Sequence, residues 1–138
     1  MPYSDPLDQK KCSKRWYQRN KDKVKEKTRS WKQRNPIKYH LQEIKSRAKK
    51  QSLECDLDLE WFTERMAHGL CEVTNLPFVP SEKKMGPFLP SVDRTDPKKG
   101  YTKDNCKMVI WMYNAAKGSN THDYVMIMAR ALCIQYYR

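Results

Sequence analysis

The order of polar and apolar residues along the chain changes character near residue 52. From about residue 9 to residue 34, Lys, Arg, Gln and Glu dominate and no Gly or Pro interrupts them, which predicts a helix. Residues 1–8 hold two prolines and are expected to be extended. A second helix is predicted over 36–51, because Pro36 suits a first helical turn and the apolar positions form a stripe: Tyr39, Leu41, Ile44 and Ala48.

Beyond residue 52 the pattern alternates between short helical and short extended segments. Asp58 is a suitable N-cap for a helix over 58–67, and Gly69 is suited to end it. Residues 70–79 are expected to form a hairpin or short strand, residues 80–88 a loop, and residues 89–118 two strands followed by a short helix. Thr121 would cap a last helix with four residues facing the core: Val125, Met128, Leu132 and Tyr136. The predicted fold class is α+β, mostly helical, with one small antiparallel sheet.

The charge of the chain is concentrated in its first third. The 138 residues include 28 Lys and Arg against 16 Asp and Glu, a formal charge of +12. Residues 10–50 hold 17 of the basic residues and three acids, so this segment carries +14 and the rest of the chain −2. We therefore expect a basic helical arm over 1–51, a separate domain over 52–138, and a nucleic acid as partner. A solvated, unstructured tail is the alternative, but the arm carries more large apolar groups than such tails do.

A short repeat lies inside the arm. The Trp16 segment Trp-Tyr-Gln-Arg-Asn recurs at Trp31 as Trp-Lys-Gln-Arg-Asn, about four helical turns later, so both indole rings would share a face. That face is expected either to pack between arm helices or to stack on bases. Asn20 and Asn35 are interpreted as helix ends or joints between helices. The basic side chains expected to contact phosphates are Lys14, Arg15, Arg19, Lys23, Lys32 and Arg34.

Candidate chemistry lies between residues 91 and 118. Asp93 is expected at the end of the first strand, and Asn114, nine residues after Asn105, on the short helix. Oxygen ligands from a strand and a helix can hold a hard divalent cation and leave positions open for phosphate and water. The alternatives are a turn-forming role for Asp93 and local hydrogen bonding for Asn114.

The spacing of Asp93-Arg94, Asn105 and Asn114 resembles the HNH (ββα-metal) endonuclease family. Pro97 and Lys117 fit looser positions of that pattern, and the segment 69–78 is similar to the hairpin that opens phage-borne members. The resemblance covers about residues 52–136. It implies a ββα-metal module, one Mg²⁺ or Mn²⁺ held by Asp93 and Asn114, and hydrolysis of double-stranded DNA. With the lysine-rich arm it implies a phage or mobile-element homing nuclease, working inside the cell (the host cytoplasm if phage-encoded).

The chain departs from the family at Arg94, where members carry the His that acts as general base. An arginine stays protonated and has no acceptor, so Arg94 is expected to grip the scissile phosphate instead. Tyr101 in the motif loop or His68 before the hairpin would then be the base, or no side chain would be needed. Asn105 is expected to organise the loop, and Lys117 either to contact phosphate or to lie on a solvated face.

The five cysteines give no metal or disulfide pattern. No two of them have a C-x-x-C spacing, and where related nucleases carry zinc knuckles this chain has Cys71-Glu-Val-Thr74 and a lone Cys106. We expect no structural zinc. No apolar run approaches the roughly 18 residues of a membrane span, so no membrane partner is expected.

Two other functions stay open at this point. The chain would be a catalytically degenerate nucleic-acid-binding protein if Arg94 removed the chemistry, or a junction-resolving nuclease if it formed a dimer. The sequence leaves the oligomeric state open between monomer and homodimer.

Overall fold

The computed structural model describes residues 6–80 and 86–137. Its fold is α+β and mostly helical, with a two-stranded antiparallel sheet, as predicted. The elements in chain order are α1 (Pro6–Arg34), α2 (Pro36–Lys50), α3 (Leu59–His68), β1 (Pro90–Arg94), β2 (Cys106–Ile110), α4 (Trp111–Lys117) and α5 (His122–Tyr136).

The chain divides into two compact units, of which the first ends at Tyr39. In this unit α1 is one unbroken helix of 29 residues, about 43 Å long at 1.5 Å per residue. The prediction of a helix end at Asn20 is wrong, because its side-chain amide donates to the Trp16 carbonyl at 2.9 Å within the helix. Asn35 does separate α1 from α2. The extended start is also wrong for residues 6–8, which are helical, while residues 1–5 lie outside the described residues.

The two tryptophans of the first unit differ in solvent exposure. Trp16 is 60% exposed, whereas Trp31 is half-buried.

Near the end of the unit the Lys32 ammonium donates to the Tyr39 hydroxyl at 3.0 Å and lies 4.2 Å from the centre of that ring. The ammonium group of Lys32 is therefore held against an aromatic ring at the junction of α1 and α2.

The second unit begins at His40, inside α2. Leu41, Ile44 and Ala48 are buried, and the His40 ring lies 5.6 Å from the Phe62 ring on α3. The boundary at residue 51 between a basic arm and a separate domain stays a prediction. The compact units divide between residues 39 and 40, because Leu41, Ile44 and Ala48 of the α2 stripe are buried in the second unit while Tyr39 ends the first.

Helix α3 and the hairpin after it have the predicted ends. The Asp58 carboxylate accepts from the Trp61 amide at 2.9 Å as N-cap, and Gly69 ends the helix with a φ of 74°. The hairpin closes through the Cys71 amide, which donates to the Leu76 carbonyl at 2.8 Å. It is held by packing, since Cys71 is buried in a cluster with Val109, Ile110 and Tyr113.

The sheet and α4 form one continuous piece of chain. In β1 and β2, Ser91 is paired with Val109 and Asp93 with Lys107, and α4 starts directly after β2. The loop between the strands is fixed to an earlier segment, because the Tyr101 amide donates to the Glu54 carbonyl at 2.8 Å. Only glycine fits at position 100, where a Cβ would lie 2.5 Å from that same carbonyl oxygen.

Helix α5 differs from its prediction. None of its residues is fully buried; Val125 packs partly against the core, while Met128, Leu132 and Tyr136 are exposed. The expectation that these four residues face the core is therefore wrong for three of them. Among residues 6–80 and 86–137, no helix combines the length and apolar character needed to cross a membrane.

Candidate active site

The site is built on the face of β1 that carries Ser91 and Asp93, since alternate residues of a strand point to the same side. Asp93 is only 4% exposed. Its Oδ1 accepts a hydrogen bond from the Lys117 ammonium at 2.9 Å, and Lys117, at 1% exposure, also donates to the Arg94 carbonyl at 2.7 Å. A buried carboxylate requires a paired cation, and α4 supplies it from its last turn.

Asn114 lies one turn before Lys117 on the same side of α4. Its amide nitrogen donates to Ser91 Oγ at 2.8 Å and to the Val92 carbonyl at 3.2 Å, which uses both of its hydrogens. No described group donates to the amide oxygen. An asparagine is a poor helix former, and these bonds to β1 are the reason for its place in α4.

Asp93 and Asn114 line one open cleft of about 340 Å³. Asp93 has a second carboxylate oxygen, Oδ2, and Asn114 has its amide oxygen, and neither accepts a hydrogen bond from a described residue. Carboxylate and amide oxygens are the donors that Mg²⁺ and Mn²⁺ prefer, with water and phosphate completing the shell. The donor set therefore fits a divalent cation. Among the described residues, no three His, Cys, Asp or Glu side chains cluster to form a complete metal site, so water and phosphate would have to complete the shell.

Positive groups surround the same cleft. Arg94 donates to the Lys99 carbonyl at 2.9 Å, and its guanidinium carbon lies 4.8 Å from the centre of the Tyr101 ring. One contact to protein leaves most of its five N–H groups for an anion. Arg47 and Lys98 also line the cleft. An arginine fixed over an aromatic ring is well suited to bind phosphate.

Arg47, like Lys98, is a site residue that the sequence pattern missed. It lies in the last turn of α2, next to buried Ala48, so its backbone is fixed by the core of the second unit. The signal that would have found it is a basic residue bordering the apolar stripe of α2. It was hidden among the many basic residues of the arm.

Asn105 organises the loop that joins the strands. Its side-chain oxygen accepts from the Asp96 amide at 2.9 Å, and its nitrogen donates to the Asp96 and Gly100 carbonyls at 3.1 and 2.9 Å. The side chain is buried and holds both ends of the loop together. Tyr101, at the end of that loop, is buried and forms part of the cleft wall.

No histidine lines the described part of the cleft. His68 is exposed at the end of α3, His122 lies 3.0 Å from the Tyr113 hydroxyl, and burial lowers the pKa of His40 against the Phe62 ring. Of the side chains proposed as base from the sequence, Tyr101 lies in the cleft and His68 does not.

The predicted phosphate contact of Lys117 does not agree with its position. A phosphate contact requires an accessible ammonium group, and that of Lys117 is buried between Asp93 and the Arg94 carbonyl. Both alternatives given for it, the phosphate contact and the solvated face, are replaced by an internal ion pair.

The two cysteines nearest the site, Cys71 and Cys106, are both buried. Burial raises the pKa of Cys106 to about 12, with Arg94 opposing the shift, so the group remains a neutral thiol near pH 7. Cys71 is buried in the hairpin core. Cys106 thus resembles a small apolar residue of the packed interior. At Cys71 burial acts to raise the pKa, but hydrogen bonds from Thr74 outweigh it and lower the pKa overall.

The structure is similar to that of PacI, a rare-cutting HNH restriction endonuclease, with a TM-score of 0.53 and 14% sequence identity. The match covers 73% of this chain and 79% of PacI. No protein-family model matches the sequence, and no curated protein matches it significantly. At this identity the likeness establishes the HNH-type fold that the motif spacing predicts.

Removing the buried cation should destabilise the second unit. In Lys117→Met the Asp93 carboxylate would stay buried without a partner, and we expect the free energy of unfolding to fall by about 3–5 kcal/mol in urea denaturation. The control is Lys103→Met, which breaks the exposed ion pair to Asp58 and should change stability little. Equal losses in the two variants would contradict a structural role for the buried pair.

Proposed function

We propose that the protein is a metal-dependent DNA endonuclease of the HNH class that hydrolyses phosphodiester bonds. The observation that supports this most directly is the meeting of Asp93 and Asn114 in one cleft with Arg47 and Arg94. The Asp93 carboxylate and the Asn114 amide oxygen suit a divalent cation. The guanidinium groups of Arg47 and Arg94 suit the phosphate that the cation would activate. The structural likeness to PacI adds support at the level of the fold.

Each side chain in the cleft has a distinct part in this proposal. Asp93 and Asn114 would hold the divalent ion, which supplies polarisation of the phosphate and charge stabilisation at the leaving oxygen. Arg94 and Arg47 would bind the nonbridging phosphate oxygens, where negative charge grows in the transition state. Lys117 and Asn105 would keep Asp93 and the loop in position.

The proton of the attacking water has one side-chain acceptor candidate that lies in the cleft, Tyr101. Arg94 lies over its ring, so the two residues are fixed relative to one another. The alternative is that no side chain is needed and a substrate phosphate oxygen takes the proton. The Tyr101→Phe variant distinguishes these two routes, because only the first requires the phenol.

A second candidate is a nucleic-acid-binding protein that has lost catalysis. The observation in its favour is the absence of histidine from the described cleft, at the site of a family whose usual base is histidine. Such a protein would bind DNA through the same arm and the same cleft. A cleavage assay with and without Mg²⁺ or Mn²⁺ separates the two candidates.

The arm would provide affinity for duplex DNA without sequence choice. Helix α1 is long enough to follow more than one turn of a duplex, and its lysines and arginines would contact phosphates. Exposed Trp16 is available for stacking on a base. The arm and the HNH-type fold together support the finer proposal of a phage or mobile-element homing nuclease.

The first test concerns the metal site. Asp93→Asn keeps the shape of the side chain and removes its charge, so cleavage should fall by more than about 100-fold while DNA affinity stays within a few-fold. Because the buried Lys117 ammonium also loses its anion, both are measured at a temperature at which circular dichroism shows the variant to be folded. Asp104→Asn, in the same loop but exposed and outside the cleft, is the control and should cleave normally. Full activity of Asp93→Asn at the usual metal concentration would refute the assignment.

The second test concerns Arg94 and Tyr101. If Arg94 binds the phosphate, Arg94→Ala should slow cleavage by about 100-fold or more, as measured in single-turnover assays. If Tyr101 takes the proton, Tyr101→Phe should nearly abolish cleavage and Arg94→His should lower it.

If the protein has instead lost catalysis, the opposite outcome is expected for Arg94→His and Tyr101→Phe. Arg94→His would then raise the rate and introduce a pH dependence near 6–7, where an imidazole titrates, because it restores a missing base. Tyr101→Phe would leave the rate unchanged.

The third test concerns the arm. Replacing Lys14, Arg15, Arg19 and Lys23 by Gln should weaken binding of any duplex sequence and flatten its salt dependence, by about 0.9 in log–log slope for each phosphate that is no longer neutralised. The measurement is a titration of labelled duplex at several salt concentrations. An unchanged slope would show that these side chains do not bind DNA.

A further inference from the structure

Helix α5 carries far more exposed apolar surface than a solvated helix. Of its 15 residues, 11 are Ala, Val, Ile, Leu, Met, Cys or Tyr, yet none is fully buried. Val125 and Ala129 are partly buried on its inner side, whereas Ile127 and Ile134 on the opposite side are 66% and 58% exposed. Helices that are apolar on every side are normally covered on every side.

The outer face of α5 is formed by residues spaced four, three and four apart: Asp123, Ile127, Arg130 and Ile134. This spacing places them in one row along the helix, with Met126 beside it. The row contains the single acidic and the single arginine residue of α5. Neither Asp123 nor Arg130 has an ion-pair partner among the described residues, and both are exposed.

The two charges make the part of this row from Asp123 to Arg130 self-complementary. Asp123 and Arg130 are seven residues apart, and the midpoint between them falls between Met126 and Ile127. A second α5 packed antiparallel about a twofold axis through that midpoint would place each Asp123 opposite the other copy's Arg130. The same axis would bring the Met126 and Ile127 side chains of both copies into contact.

The charge pattern also discriminates against other arrangements. An antiparallel pair centred on Arg130 would place two arginines together, and their like charges repel. We propose that α5 is a self-association surface, that its occupant is the α5 of a second copy of this chain, and that Asp123–Arg130 pairs set its antiparallel register.

The first test is the mass of the full-length chain in solution without DNA. A single chain has a mass of 16.5 kDa, and sedimentation equilibrium should give about twice that value at micromolar concentration. Ile127→Glu, beside the proposed twofold axis, should weaken association by at least about 100-fold. Leu132→Gln, an equally apolar exposed position on the other side of the helix, is the control and should remain dimeric.

A charge exchange tests the register and the identity of the partner. Asp123→Arg alone and Arg130→Asp alone should each be monomeric, because each places like charges opposite one another in a homodimer. The variant carrying both changes should dimerise again. An equimolar mixture of the two single variants should form heterodimers, since one chain then carries two arginines at these positions and faces two aspartates on the other.

Circular dichroism of each variant verifies that the fold is retained, so that a lower mass reports the loss of association. A monomeric wild-type chain at micromolar concentration would overturn the proposal. Single variants that remain dimeric, or fail to recover on mixing, would overturn the proposed register. A monomer in which Ile127→Glu alters thermal stability would instead indicate that a segment of the same chain covers α5.

Discussion

The buried ion pair between Asp93 and Lys117 is the interaction on which the candidate site depends. A carboxylate with so little exposed surface is stable only with a cation and further hydrogen bonds, and the Lys117 ammonium satisfies both Asp93 and the Arg94 carbonyl. The pair joins the end of β1 to the end of α4. Asn114, one turn earlier, is thereby brought within bonding distance of Ser91 and Val92. One constraint thus positions both oxygen donors proposed for the metal.

The basic part of the cleft depends on a different set of contacts. Asn105 bonds the loop at Asp96 and Gly100, and the loop in turn holds the Arg94 guanidinium through the Lys99 carbonyl and the Tyr101 ring. Arg47 reaches the cleft from α2, whose own position is set by apolar packing. The donors for a metal and the groups for a phosphate are therefore supported by separate networks that meet at the cleft.

The sequence predicts those features that depend on local chemistry and spacing. The N-cap at Asp58, the left-handed Gly69 and the order of two strands and a helix all follow from short stretches of chain, and all are present in the structure. The spacing also predicts that Asp93 and Asn114 come together, because a hairpin followed directly by a helix allows few arrangements. Features that depend on distant pairing are not predictable in this way. The direction of the Lys117 side chain is set by a partner 24 residues earlier, and Arg47 joins the cleft through the packing of another helix. The apolar residues of α5 are visible in the sequence, but their spacing does not identify the surface against which the helix packs.

The close approach of Gly100 to Glu54 has a consequence for modularity. The strands, loop and α4 look like a portable unit of about thirty residues, but the loop derives its shape from a backbone segment that precedes it by more than forty residues. A ββα peptide excised at Leu89 would lack that template and leave Arg94 without a fixed support. The smallest transferable form of this site therefore begins before Glu54, and its transplantation to another scaffold requires that the segment around Glu54 be carried along.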